Sequence, residues 1–585
     1  MKQFLITVAG VLVGLILFLV IAPMVLFSSL ASHARDTQKP TGDLVLALDL
    51  RSSGGDQPSQ APFAGFGGSS LSTIEIVRKL SAAGADKAVK GVLIRANTAG
   101  MAPAQSEEVR NAIADLRKAG KFVFAHVQND TLETSLSGYG AIAGADEIWL
   151  HETGGMMPMG IASEGLFLGG FFQKYKMQPQ FEQREEYKNA VNQYTERGYT
   201  KAHREATEAM IGSIYDTFIA NIAADRKLTP EAVKAAIEGT PYTGKKTVEL
   251  KLADKLGRPE DAEAAALQKA GKGAEMLDLA DYKSAKKDGP VIALIGGEGG
   301  IVTGPGDSSP FADEALMNSD DIAAAFKSAV EDDEVKAIVF RVSSPGGSPV
   351  ASDQILHAVE QAKAKGKPVV VSMGEYAASG GYYVSAAADA IVALPTTLTG
   401  SIGIFGGKVV IRDALDSYLA IEPDEIKVGS PYANMFTSAR PFTNAERATF
   451  AAMIDEGYVD FKGKVAAGRK LPIEKVNEIA KGRVWTGAQA KANGLVDELG
   501  GLNVAIARAK ALANLKADQV QLRLYPERKS PLEEVQELFG VSGEAARAAV
   551  VLGKVMGDER VSQALNAAMR QNAAIRAESE SVRVR

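Results

Sequence analysis

The chain of 585 residues carries one pattern written twice, and this duplication restricts its fold more than any other feature. At a shift of 246 residues, GVLIRANTAG (91–100) falls on AIVFRVSSPG (337–346), and GKFVFAHV (120–127) on GKPVVVSM (366–373). Further along the shift becomes 243. GADEIWL (144–150) then overlies AADAIVA (387–393), ADRKL (224–228) overlies AGRKL (467–471), and YTGKKTVELKLADKLG (242–257) lies on WTGAQAKANGLVDELG (485–500). The body therefore reads as two tandem copies of one domain, 43–270 and 290–525, joined by the polar stretch 271–289.

Within each copy, short β-branched runs alternate with amphipathic stretches. VLIR, FVFAHV and EIWL recur as AIVFRV, PVVVSM and AIVAL, while SEEVRNAIADLRKAG and SDQILHAVEQAKAKG place apolar residues at three- and four-residue steps before a terminal Gly. A β-α-β-α order predicts an α/β fold with a mostly parallel sheet and helices on its faces. A long helical segment follows in each copy, with the matching aromatic pairs Tyr215/Phe218 and Tyr458/Phe461 expected in the core. Two Gly-rich stretches, Gly54 to Gly68 and Gly296 to Gly306, read as surface loops. Neither carries the Gly-Lys-Ser/Thr ending of a phosphate-binding loop.

Outside the repeats, residues 1–28 read as a membrane anchor. Phe4 to Phe27 is an uncharged run whose helix would be roughly 36 Å long, enough to cross about 30 Å of hydrocarbon. A cleaved signal peptide competes through Ser32-His33-Ala34, but the apolar run exceeds the usual core of such a peptide. Lys2 ahead of the span favours a cytoplasmic N-terminus. The expectation is a single-pass protein of the inner membrane with its body on the periplasmic side. The tail 526–585 has helical patterning and a polar end, and no chemistry is assigned to it.

Composition then removes whole classes of chemistry. Cysteine is absent, which excludes disulfides, thiolate metal sites and a cysteine nucleophile. Only five histidines are present, so a histidine-based triad or metal centre has few possible members. The net charge of −6 advertises no surface for nucleic acid. No cofactor or metal is called for. A catalytic base has to come from another residue type.

The differences between the copies supply one. Ser344-Pro345-Gly346-Gly347 follows a strand of the second copy where the first has Thr98-Ala99-Gly100-Met101. In EYAASGGYYVSAAADA (375–390), Ser379 stands opposite Leu136; in REEYKNAVNQYT (184–195), Lys188 stands opposite Ala433. One copy keeps a serine, the other a lysine. A serine hydroxyl needs a neighbouring base to accept its proton, and a lysine serves once desolvation or a nearby cation lowers its pKa. Arg184 is a candidate for that cation, with Glu185 and Glu186 opposing it. The Pro-Gly-Gly turn offers free N–H groups for an oxyanion at Gly346 and Gly347, and Gly380 adds another from the helix it begins.

These residues resemble signal peptide peptidase A in its long, duplicated bacterial form, a family of membrane-anchored Ser–Lys peptidases. RVSSPGGSPVAS (341–352), MGEYAASGGYYVSAAAD (373–389), LTGSIGIFGG (398–407) and YKNAV (187–191) carry the likeness, which runs from the anchor to about residue 525. The resemblance implies two Clp protease/crotonase-like β-α-β spiral domains, Ser379 as nucleophile, Lys188 as general base, Ser401 orienting the lysine amine, and Gly347 N–H in the oxyanion hole. It also implies a homotetramer that degrades signal peptides left in the membrane. Ser343 departs from the Asp or Asn expected there. Ile402-Gly403-Ile404-Phe405 reads either as a strand that an extended substrate could pair with or as core. The rival readings are a crotonase-like acyl-CoA enzyme and a non-catalytic anchored scaffold.

Overall fold

The protein is described by a computed structural model over residues 42–526, except 53, 59–70, 97–100, 129–134, 156–157, 284–288, 307–314 and 517–519. The expected anchor at 1–28 and the tail beyond 526 lie outside the described residues. Among the described residues no helix is long and apolar enough to cross a membrane.

The first repeat contributes strands β1 (Leu44–Asp49), β2 (Val89–Ala96), β3 (Phe122–Val127), β4 (Glu147–Leu150), β5 (Gln178–Gln183), β6 (Lys255–Leu256) and β7 (Glu275–Asp278). The second contributes β8 (Val291–Glu298), β9 (Gly300–Val302), β10 (Leu316–Asn318), β11 (Val335–Ser344), β12 (Val369–Ala378), β13 (Ala390–Ala393), β14 (Leu398–Gly400), β15 (Phe405–Val410), β16 (Val484–Thr486), β17 (Glu498–Leu499) and β18 (Gln521–Tyr525). The first sheet runs β6-β4-β3-β2-β1-β7, all parallel. In the second, the parallel order β17-β13-β12-β11-β8-β18 repeats that topology strand for strand. Side-chain details repeat as well. Tyr139 donates to Leu252 O and Tyr382 to Leu495 O, both at 2.9 Å, while Arg226 pairs with Asp254 and Arg469 with Asp497.

Alternation along the strands explains how the copies share a core. Successive residues face opposite sides of a sheet, so Ile292 and Leu294 pack into an apolar layer that includes Leu46, Leu48 and Ile94 of the first repeat. Val291, Ala293 and Ile295 pack on the other face with Phe340, Ile355 and Tyr382. A sheet buried on both faces needs near-continuous apolar strands, as these are. The helices Lys201–Arg226 and Asn444–Arg469 each begin at a threonine cap, Thr200 and Thr443, and bury Phe218, Tyr458 and Phe461, whereas Tyr215 is only partly buried.

Three expectations are revised. Gly296 to Val302 belongs to strands β8 and β9, apart from the bend at Gly299, because Gly296 and Gly297 lie in register with Arg341 and Val342. The described part of the other Gly-rich stretch is docked, since Asp56 and Gln57 present backbone N–H groups to Glu298. Strand β7 lies beyond 270, inside the stretch read as a connector, and pairs with β1.

Charge crosses the boundary between the copies. Arg341 on β11 is fully buried and reaches Asp56 with both Nε and Nη2 (2.9 and 2.6 Å), and Glu108 with Nη1 (3.0 Å). The helix Pro103–Lys118 has no side-chain cap of its own. Instead Glu375 on β12 accepts from Ala104 N–H at 2.9 Å. Burial pushes the Glu375 carboxyl up to about 7.

Candidate active site

Strand β12 ends at Ala378 and the helix Gly380–Ser385 begins at once, so Ser379 forms a turn with no spare residue. Its backbone sits at φ 55°, ψ −118°, a conformation costing a non-glycine residue about 1–3 kcal/mol. Fixed contacts hold it there. Ser379 N–H donates to Gly400 O (2.9 Å), and its carbonyl accepts from Tyr382 and Tyr383 N–H (3.0 and 2.9 Å). The effect is to present Oγ at the top of the sheet, ahead of a helix N-terminus.

Lys188 arrives from the other repeat. After β5 the chain passes β15, its antiparallel partner, and Tyr187 N–H donates to Lys481 O (3.2 Å). Lys188 is 3% exposed. Its Nζ lies 3.1 Å from Ser379 Oγ, 3.0 Å from Ser401 O and 3.0 Å from Ser401 Oγ. Among the described residues no carboxylate lies within ion-pair distance of Nζ. Burial alone lowers its pKa to about 8. A cation without a counter-charge is costly to bury, so the neutral amine is reached at a lower pH than in water.

Placement of the hydrogens follows. Ser401 Oγ donates to Gly482 O (3.4 Å) and is left to accept from Nζ. Ser401 O can only accept. A neutral amine therefore spends both N–H bonds on Ser401, and its lone pair faces the Ser379 hydroxyl.

The turn Ser344-Pro345-Gly346-Gly347 closes the third side. Gly346, at φ 106°, has no room for a side chain: a Cβ there would lie 2.8 Å from Ser379 Cβ and 2.6 Å from Gly380 N. Ser344 Oγ accepts from Gly346 N–H (3.1 Å), and Gly346 O and Ser348 N–H bracket Ile301. Among the described residues neither Gly347 N–H nor Gly380 N–H has an acceptor. Gly347 N lies 3.1 Å from where a Cβ on Gly380 would be. Two free donors thus sit beside Ser379, as an oxyanion requires.

The structure brings Ser379, Lys188, Ser401, Gly347 and Gly380 into one place within a single chain. It does not bring Arg184, which is held by Asp455, Glu182 and the Ala451 carbonyl and takes no part in lowering the Lys188 pKa. Of the run Ile402-Gly403-Ile404-Phe405, only Phe405 is in a strand. Ile402 is fully buried and Ile404 half-buried, and their carbonyls already accept from Gly482 and Arg184 N–H, so 402–404 is neither a free strand nor a buried core strand. Gly482 was not visible from sequence. At φ 74° it passes directly over Lys188, and a Cβ on it would lie 2.6 Å from the lysine Cβ. Because Gly239 occupies the matching position in the first copy, no difference between the copies marked it.

The chain is similar to known proteins over much of its length. The model of peptidase family S49 matches residues 115–273 and 361–516, one match in each repeat. Protease 4 of Salmonella typhi is 32% identical over 548 residues, covering 89% of this chain and 86% of that one. Protease 4 of Haemophilus influenzae is 30% identical over 471 residues, covering 77% and 74%. Among solved structures, a ClpP1 mutant of Listeria monocytogenes aligns over 36% of this chain and 94% of that one, at 15% identity and a TM-score of 0.23.

Proposed function

Since this chain belongs to peptidase family S49 and is a serine protease, we propose that Ser379 is its nucleophile, Lys188 its general base, and apolar peptides its substrates. The observation that carries the reading is the buried Lys188 amine 3.1 Å from Ser379 Oγ with no carboxylate beside it. Neutral Lys188 takes the hydroxyl proton as Oγ bonds to the scissile carbonyl carbon. The carbonyl electron pair moves onto oxygen, and that oxyanion is met by Gly347 and Gly380 N–H. The C–N bond then breaks, and the lysine ammonium gives its proton to the leaving amine. Water, deprotonated by the same lysine, hydrolyses the acyl-enzyme and restores Ser379. Ser401 keeps the lone pair aimed at each proton in turn.

Support for apolar substrates comes from the surroundings. Tyr376, three residues before the nucleophile, is 43% exposed, and Phe405 beside the Ser401 segment is 38% exposed. Cleaved signal peptides are the substrate class within this reading. The uncharged run Phe4 to Phe27 supports anchorage in the inner membrane with the body on the periplasmic side. Exposed Leu419, Ile426, Val428 and Phe436 support self-association, as a homotetramer.

The test is cleavage of apolar signal-peptide sequences by the purified full chain, with S379A and K188A alongside. Both variants should be folded and inactive. An active K188A variant would remove the lysine from the mechanism, and cleavage confined to charged, polar peptides would remove the substrate assignment.

A further inference from the structure

Beside the lysine lies a second cluster drawn from both repeats. Arg483 follows Gly482, and its carbonyl accepts from Ser401 N–H at 2.7 Å. Its guanidinium carbon stands 4.9 Å from the Tyr187 ring centroid and 4.5 Å from that of Trp485, so aromatic faces from the two repeats enclose it. Nη1 and Nη2 make a two-pronged pair with Glu205 of the helix Lys201–Arg226, at 2.6 and 2.9 Å. The arginine holds the Glu205 carboxyl below its usual range. Trp485 is itself fixed, Nε1 donating to Ile479 O at 2.9 Å. Arg483 Nε is buried and has no acceptor among the described residues, an unfavourable placement that the stacking and the carboxylate fork offset.

The duplication provides an internal control. At the 243-residue shift, Thr240 stands in place of Arg483, Tyr242 in place of Trp485 and Ala448 in place of Glu205. The arginine and its carboxylate occur only at the joint where Lys188 meets Ser379. Two neighbours in sequence matter here: Tyr187 precedes the lysine, and Arg483 follows the glycine that covers it.

We propose that Arg483, locked by Glu205 and stacked on Tyr187, is a positioning residue that fixes the Tyr187–Lys188 backbone and the Ser401 segment as one unit, keeping the amine of one repeat aimed at the hydroxyl of the other. Arg483 touches neither substrate nor the reacting atoms. Its effect passes through the lysine, and the inference rests on Lys188 being the base. A planar fork with two aromatic faces is specific to arginine, so lysine does not substitute for it.

The test measures kcat, KM and the pH dependence of peptide cleavage for the full chain and for R483M, R483K and E205Q. The expected result for R483M is a fall in kcat of about tenfold or more at pH 7 with KM within about threefold, because misplacement acts on the chemical step. The midpoint of the alkaline rise should also move up, since a loosened lysine regains water. R483K should behave like R483M, and E205Q should shift both readouts the same way by less. A kcat that falls with no movement of the midpoint would mean a merely structural role and overturn the proposal, as would R483K restoring wild-type behaviour. Should R483M not fold, half-exposed Glu205 decides the matter: unchanged kcat and midpoint in E205Q overturn it. A wild-type profile flat from pH 6 to 9, or an active K188A variant, would instead sink the assignment of the base.

Discussion

Arg95 and Arg341 hold matching places on β2 and β11, yet their surroundings differ. Arg95 pairs with Glu263 at 3.1 Å with both side chains more than a third exposed. Arg341 is sealed between Asp56, Glu108 and Ser372, two of which come from the other repeat. The neighbouring positions diverge in the same sense. Leu136 opens its helix behind an ordinary serine cap, Ser135, whereas Ser379 opens the matching helix from a strained turn with its hydroxyl free for chemistry. Met101 stands where the second copy has Gly347. The copies contribute different groups to their joint: Ser379 and Arg341 come from the second, Lys188 and the carboxylates of Asp56 and Glu108 from the first.

That division is broken most sharply by removing either half of the dyad. S379A and K188A should each lower kcat by about 10⁴-fold or more, and the double variant should be no worse, because groups acting as one unit are not additive. A double variant far below either single would show two independent contributions. Next in size is the paired substitution R341M and R95M, read by denaturant unfolding. Losing Arg341 leaves Asp56 and Glu108 buried without a counter-charge, at a cost of about 3–5 kcal/mol. Losing Arg95 from its exposed pair should cost no more than about 1 kcal/mol. Equal effects would mean that the buried network does not hold the repeats together.

The oxyanion turn comes third. In G347A the new Cβ would meet Ile301 O at 2.1 Å, displacing the N–H. A fall in kcat of about 10²–10³-fold with the fold intact is expected. The reverse change at the first copy, M101G, should leave turnover unaltered.

The smallest effect concerns Glu375. Its folded-state carboxyl is raised to about 7 from 4.5, so between these values the unfolded chain releases its proton first. Stability from this group therefore falls as pH rises through that window and is lost above about 7. E375Q keeps an acceptor for Ala104 N–H without the buried charge. Its melting temperature should exceed that of the wild type by about 2 °C at pH 8, with little gain at pH 4.5. A loss at pH 8 would show that the ionised form is the one the helix terminus requires.

Much of this was legible because the chain contains its own comparison. The repeated strands, the long helices and the opposed Ser379 and Lys188 all follow from aligning one half with the other. What escaped detection depends on contacts far apart in sequence. Asp56 lies in a Gly-rich stretch that looks like a loop until Arg341 fills the space beneath it. Arg184 looked like a neighbour able to lower the lysine pKa, but Asp455, from a distant helix, claims it. Gly482 is shared by both copies, so divergence could not flag it. Periodicity and substitution patterns report on faces and differences, whereas three-dimensional proximity across two repeats leaves no local trace.

The central claim is that the buried lysine of one repeat activates the serine of the other. Labelling of the full chain with a fluorophosphonate, followed across pH and located by mass spectrometry, tests it most directly. The account predicts label on Ser379 alone, at a rate that rises with a midpoint of about 8 and is abolished in K188A. Label on another serine, or undiminished labelling of Ser379 in K188A, would contradict it.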